Sequence, residues 1–213
     1  MPETGRVAWH VITAELHTGM LTLAFASAVI HLLGGWITGG NAVWRALVRL
    51  AEPTALLAAI AGLLSLIASI VTGFLYTWPV EVLLTSSVVL NKIALTAFAL
   101  TFWAAFIVIR VVYGPQLWVR GRVRSLYVAL AGGGFFSLML VGSTGGHLAG
   151  KRSMLDAVLH SLGINTHLLF TFSRPAVYVL VTAVALLLLA AVVARTASSG
   201  APRRSRGSLG VDP

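Results

Sequence analysis

Residues 54–78 read TALLAAIAGLLSLIASIVTGFLYTW, a run that contains no charged side chain. A helix needs about 20 predominantly apolar residues to cross a hydrocarbon layer roughly 30 Å thick, and this run is long enough to do so. The whole chain has 213 residues, of which 58% are hydrophobic and only 10% are charged, which is too apolar for one globular core of this size. The run therefore predicts a transmembrane helix.

Comparable apolar segments lie on both sides of this run. They fall at about residues 16–37, 88–112, 126–148 and 175–195. None of them shows the short alternating pattern of a transmembrane β-barrel strand. We therefore predict an all-α fold, a polytopic membrane helical bundle of about five transmembrane helices within residues 1–195.

The connections carry their own signals. The polar stretch that contains Asn41, Arg45, Arg49 and Glu52 is predicted to be a loop. Pro53 is predicted to open the second span after it, because proline is tolerated at the first helical position. Ser153–Leu162 predicts a short helix on the membrane surface, with Ser153 as its N-cap. Residues 196–213, rich in Ser, Gly, Pro and Arg, predict a disordered basic cytoplasmic tail.

The basic residues predict the orientation of the bundle. One side collects Arg45, Arg49, Arg110, Arg120, Arg122, Arg124, Arg195, Arg203, Arg204 and Arg206. The other side holds about half as many cations, so the first side is predicted to be cytoplasmic. This places the N-terminus outside and the C-terminus in the cytoplasm, and five spans agree with termini on opposite sides. We therefore predict a multi-pass protein of the cell (plasma) membrane. The net charge of +9 is thus explained by topology, and no nucleic acid partner is expected.

The absence of cysteine bounds the possible chemistry. A chain without Cys cannot supply thiolate ligands to an Fe–S cluster, nor a thiolate nucleophile. No nucleophile elbow and no pair of close histidines with a glutamate occurs either. Any redox chemistry must therefore come from a bound cofactor.

Histidines are the most informative of the few ionisable residues. The six are His10, His17, His31, His147, His160 and His167. At 100° per residue, the first three fall within about 40° of one another on one helix face. The second and third of this stripe are about 21 Å apart along the axis, a spacing typical of ligands to cofactors near opposite membrane surfaces.

Two of these histidines form a candidate haem site. His17 in the first span and His147 at the end of the fourth are both predicted near the external surface, where they can face each other as metal ligands. Two imidazoles on facing helices are suited to a low-spin b-type haem that transfers electrons. His31 lies near the opposite surface without a second histidine beside it, so one haem is favoured over two.

Other residues of the external side supplement this candidate site. His160 or His167 can replace His147 as a ligand, or can simply be solvated. Three cations of this side, Arg174, Lys92 and Arg152, are able to meet haem propionates or the head group of a quinone. The alternative for Lys92 is that it only extends its side chain to the interface.

Several short motifs resemble a known family. Thr72-Gly73 in the second span, Arg110 at the end of the third and the segment Ser143-Thr-Gly-Gly-His-Leu-Ala-Gly150 are similar to small predicted membrane proteins of unknown function, often described as cytochrome b-like. The resemblance covers about 120 residues. It implies a helical bundle that binds b-type haem. The family pattern has a histidine early in the third span, where this chain has Asn91-Lys92.

Two functions of different classes follow. The first is a membrane-embedded electron-transfer or anchor subunit of a respiratory or quinone-linked redox complex, in which partner subunits perform any catalysis. The second is a cofactor-free bundle that serves as an anchor, an assembly factor or a transport subunit. Transport is less favoured, because no span carries paired buried charges and no inverted repeat is evident.

Overall fold

The structure, a computed structural model, describes residues 3–37, 40–148 and 154–163 and the single residues 178 and 182. Six α-helices lie in these ranges: α1 (Glu3–Gly34), α2 (Ala42–Thr72), α3 (Val80–Thr85), α4 (Ser87–Tyr113), α5 (Gly121–Leu148) and α6 (Met154–Ser161). No strand occurs in these ranges, so the prediction of an all-helical fold is confirmed for this part of the chain.

Four of the helical segments are long and apolar enough to cross a membrane. They are Ala8–Gly34, Ala42–Thr77, Val88–Trp118 and Gly121–Gly146. The count is thus four in the described ranges, where about five spans were predicted for the chain. The fifth predicted span, at 175–195, and the tail at 196–213 lie outside these ranges, apart from the isolated helical residues 178 and 182.

The second span begins earlier than predicted. Asn41 accepts a hydrogen bond from the backbone N–H of Trp44 at 2.9 Å and so caps α2. Pro53 lies inside α2 instead of opening it. The polar stretch between Asn41 and Pro53 was interpreted as a loop because charged residues fit poorly into lipid. It is instead the first three turns of a helix, which bring Glu52 into contact with the next spans.

Irregular turns end two of the spans. α2 continues into a π-helical turn at Gly73–Thr77, and α4 continues into a 3₁₀ turn at Gly114–Trp118. Gly114 has a φ of +52°, a conformation that residues with a Cβ rarely adopt, so this turn depends on glycine. The short helix α6 confirms the helix predicted at 153–162, and the side chains of Val158 and Leu162 are exposed.

The four long helices run alternately up and down. α1 packs against α2 and α5, while α4 packs against α5 and α2, which closes a four-helix ring. The core is filled by fully buried side chains from all four helices, the largest of which are Leu21, Leu66, Trp103, Phe106, Leu117, Tyr127 and Leu138.

Charged side chains mark the two ends of this bundle. Lys92 lies near the start of α4, and Arg110, near the end of α4, pairs with Glu52 of α2. The two cations are 18 positions apart in α4, about 27 Å along the helix, which is close to the thickness of a hydrocarbon layer. We call these ends the histidine–lysine end and the ion-pair end. Their spacing agrees with a bundle that spans a bilayer.

Candidate functional site

A network of polar side chains joins α1, α2 and α4 at the histidine–lysine end. We call this network the polar cluster; its members are His10, Thr13, His17, Ser65, Ser69, Thr72 and Lys92. Polar side chains are rare inside a transmembrane bundle, because each must find a partner away from water. The cluster is therefore the main candidate for a functional site.

His17 is the most deeply buried histidine of the cluster. Only 5% of its surface is exposed. Its Nδ1 lies 3.0 Å from the carbonyl oxygen of Thr13, one turn earlier in α1. A carbonyl can only accept, so Nδ1 carries the proton and donates it. The Nε2 atom of a neutral His17 is therefore left with its lone pair.

His10 connects α1 to the end of α2. Its Nδ1 donates to the carbonyl oxygen of Ser69 at 3.1 Å and lies 3.3 Å from the Thr72 hydroxyl. A Cβ at Gly73 would lie only 3.1 Å from Cε1 of His10. The imidazole thus fits beside α2 because the π-helical turn begins with a glycine.

Hydroxyl groups complete this contact. Thr13 and Thr72 place their hydroxyl oxygens 3.3 Å apart across the α1–α2 interface. The Ser65 hydroxyl donates to the Thr13 carbonyl at 3.0 Å. The same carbonyl therefore accepts from both the Ser65 hydroxyl and the His17 ring, and the second of these bonds holds the His17 ring in place.

Lys92 brings a positive charge to the cluster from α4. It interacts electrostatically with both His10 and His17. Its ammonium lies 6.0 Å from the centre of the Trp78 ring and 3.2 Å from the position that a Cβ at Gly145 would occupy. The side chain is half-buried and reaches towards α5. It makes no ion pair with an acidic residue in the part of the chain that the structure describes.

Further buried polar side chains lie on α4 and α5 near this end. Asn91, Ser143 and Thr144 are all buried. The Thr144 hydroxyl donates to the carbonyl of Leu140 at 2.7 Å, so its own helix satisfies it. These residues extend the polar character of this end to all four long helices.

The remaining predicted site residues are only partly described. The backbone of His147 lies in the last turn of α5, and its side chain lies outside the described part, as do the whole of His167 and Arg174. The proposed pairing of His17 with His147 therefore stays a prediction. His160 lies in α6 and is exposed.

His31 lies at the opposite end of the bundle. Its Nδ1 donates to the carbonyl oxygen of Val48 in α2 at 3.2 Å, and its ring packs on Trp118 at a centroid distance of 4.3 Å. His10 and His31 thus both contact α2 and His17 is buried, in agreement with a single stripe on α1.

The geometry of His17 suits a haem ligand, but the described residues do not form a complete metal site. Metal-binding histidines usually donate one ring N–H to a carbonyl or carboxylate and bind the metal through the other nitrogen. His17 has this arrangement, so it fits as one axial ligand. Among the residues that the structure describes, however, no group of three His, Cys, Asp or Glu side chains is placed to hold a metal ion.

The glycine run of α5 has a structural explanation. A Cβ at Gly133 would meet the ring of Phe102 at 3.0 Å, and one at Gly134 would meet Trp103 at 2.9 Å. These two positions therefore admit aromatic side chains of α4. Small residues are commonly used for such close helix contacts in membranes.

The ion pair at the other end was not predicted from the sequence. Glu52 of α2 and Arg110 of α4 form it with side chains that are only 21% and 14% exposed. The sequence signal was present, since both are isolated charges beside long apolar runs. It was missed because Glu52 was predicted to lie in a loop. The expectation that no span carries paired charges away from water is therefore wrong for α2 and α4.

Comparison with known proteins gave no match. No protein-family model, no curated protein and no solved structure matches this chain. The resemblance to cytochrome b-like proteins therefore stays a prediction. What the structure itself establishes, for the residues that it describes, is an all-helical fold with four helices suited to a lipid bilayer.

Proposed function

We propose that the chain is a membrane-embedded electron-transfer or anchor subunit of a redox complex and that it holds a b-type haem through His17. The observation that carries this proposal is the buried imidazole of His17, whose Nδ1–H bonds to the Thr13 carbonyl and whose Nε2 remains available. His147 is the second ligand in this proposal, with His167 as its replacement. A bound haem supplies one-electron transfer, and the chain supplies its ligands and an apolar surrounding.

The rest of the proposal concerns the setting of this site. The subunit lies in the plasma membrane with an external N-terminus and a cytoplasmic C-terminus, and 175–195 forms a fifth span. Lys92 and Arg174 supply positive charge near the haem propionates or a quinone head group. Redox partner subunits exchange electrons with it and perform any catalysis.

The test is a dithionite-reduced minus oxidised visible spectrum of protein purified with adequate haem supply. A sharp α-band of the b type, at about one haem per chain, supports the proposal. Substitution His17→Ala is expected to abolish this band. His31→Ala is the matched control, because His31 lies at the other end of the bundle, so its loss is expected to leave the band unchanged.

Circular dichroism and gel filtration of both variants separate loss of haem from loss of fold. A flat spectrum of well-folded wild-type protein contradicts the haem proposal. So does an unchanged band in a folded His17→Ala protein.

A cofactor-free anchor or assembly subunit is the second candidate, and specific contacts favour it. His10 and His31 each have a hydrogen-bond partner on α2, as structural histidines do. Gly133 and Gly134 admit aromatic side chains of α4 instead of a flat ligand. This candidate predicts a colourless protein whose stability depends on both histidines.

A further inference from the structure

The positive charge of Lys92 has no acidic counterpart in the described part of the bundle. Lys92 is half-buried four residues into the third span. Charged groups at this depth usually pair with one another or bind a ligand, because leaving water is costly for them. At the ion-pair end, the charge of Arg110 is balanced within the bundle, because Arg110 pairs with Glu52. At the histidine–lysine end, the described side chains offer no such carboxylate.

The surroundings of Lys92 add hydrogen-bond donors. His10, which interacts electrostatically with Lys92, is only partly buried and lies beside the π-helical turn. Thr77 in that turn has a buried hydroxyl with no hydrogen-bond partner. The next residue, Trp78, places its ring 6.0 Å from the Lys92 ammonium.

The position along the bundle decides what kind of anion can reach this site. Lys92 is about 27 Å from Arg110 along α4, so both lie near the boundaries of a hydrocarbon layer about 30 Å thick. Phosphate groups of lipids lie at these boundaries. A tryptophan beside a cation is also typical of the headgroup level.

We propose that Lys92 and His10, together with the π-helical turn Gly73–Thr77, form a binding site for a phosphate group at the membrane boundary. The group is supplied by the headgroup of an anionic phospholipid or by soluble phosphate. Lys92 provides the charge, and a protonated His10, whose Nδ1 still donates to the Ser69 carbonyl, provides a further donor through Nε2. This site does not require a bound haem, because neither residue is an iron ligand in that proposal, although Lys92 supplies positive charge in both proposals.

Native mass spectrometry of delipidated protein, with and without phosphatidylglycerol, tests the proposal. The wild type is expected to bind one phosphatidylglycerol at least tenfold more tightly than phosphatidylcholine. Lys92→Gln is expected to lose about tenfold in affinity for phosphatidylglycerol, and Lys92→Arg to retain most of it. Arg45→Gln is the matched control, because Arg45 is an exposed cation near the other end of the bundle, so it is expected to bind like the wild type.

A second experiment, with inorganic phosphate, distinguishes the two sources of the phosphate group. Inorganic phosphate that displaces the bound lipid, or by itself raises the melting temperature of the wild type but not of Lys92→Gln, identifies soluble phosphate as a ligand. Phosphatidylglycerol binding that phosphate does not displace identifies the lipid headgroup. Equal binding of phosphatidylglycerol by the wild type and by folded Lys92→Gln, with no effect of phosphate, overturns the proposal. A flat haem spectrum leaves these outcomes unaffected, so the two proposals fail separately.

Discussion

The close contact between α4 and α5 makes a sharp prediction about one glycine. A Cβ at Gly134 would lie 2.9 Å from Nε1 and Cε2 of Trp103, which is closer than such atoms normally approach. Trp103 is fully buried, and Phe106 packs edge-on against it at 5.3 Å, so the indole has little room to move. Overpacking of this kind typically costs about 1–3 kcal/mol. Gly134→Ala is therefore expected to force α4 and α5 apart and to destabilise the bundle.

Gly132 supplies the matched control on the same helix. A Cβ there meets no atom within 4 Å. The gain in helix propensity from Gly to Ala, about 1 kcal/mol in water, is shared by both variants and cancels between them. The difference in free energy of unfolding between Gly132→Ala and Gly134→Ala therefore measures the cost of the clash with Trp103, which we expect to be about 2 kcal/mol.

Reversible unfolding in mixed micelles with increasing SDS measures this difference. Gly132→Ala is expected to be as stable as the wild type or more stable, and Gly134→Ala less stable than either. Free energies of unfolding that agree within about 0.5 kcal/mol, the usual additivity error, would contradict the close packing of Trp103 against α5.

The same assay tests two polar contacts. A double-mutant cycle with Glu52→Gln and Arg110→Gln is expected to give a coupling energy of about 2 kcal/mol. This is below the roughly 4 kcal/mol of Coulomb attraction at an effective dielectric of 20, because desolvation offsets part of that attraction. Strictly additive effects would rule out the ion pair, and Arg45→Gln controls for loss of an exposed cation. Ser65→Ala is expected to cost about 0.6 kcal/mol, the average for a hydrogen bond between membrane helices, since it removes the donor to the Thr13 carbonyl; a stabilised Ser65→Ala protein would contradict that bond.

The spans were predictable because lipid demands long apolar runs, but their ends were not. The segment from Asn41 to Glu52 is polar enough to resemble a loop, yet it is helical. Hydropathy reports where a helix meets lipid, and a helix can continue beyond that boundary when a cap and a partner stabilise it. Asn41 is a strong capping residue, and this local signal outweighs the polar composition in setting the start of α2.

The candidate site was predictable only within one helix. Helical periodicity places His10, His17 and His31 on one face of α1, because their spacings are near multiples of 3.6 residues. It says nothing about which helix that face meets. The contacts of His10 with α2, and the approach of Lys92 from α4, depend on the order and rotation of the helices around the bundle. These are set by side-chain packing between segments far apart in the sequence.

The two ends of the bundle differ in how their charges are balanced, and this difference bears on where a ligand binds. At the ion-pair end, Arg110 pairs with Glu52, and His31 bonds to a carbonyl of α2. At the histidine–lysine end, Lys92 and two histidines come together, and no described carboxylate forms an ion pair with Lys92. A buried excess of positive charge is stable only if it is neutralised by proton loss or by an anion. Both the haem propionates and a phosphate group satisfy this condition, so we expect an anionic ligand of this protein to bind at the histidine–lysine end.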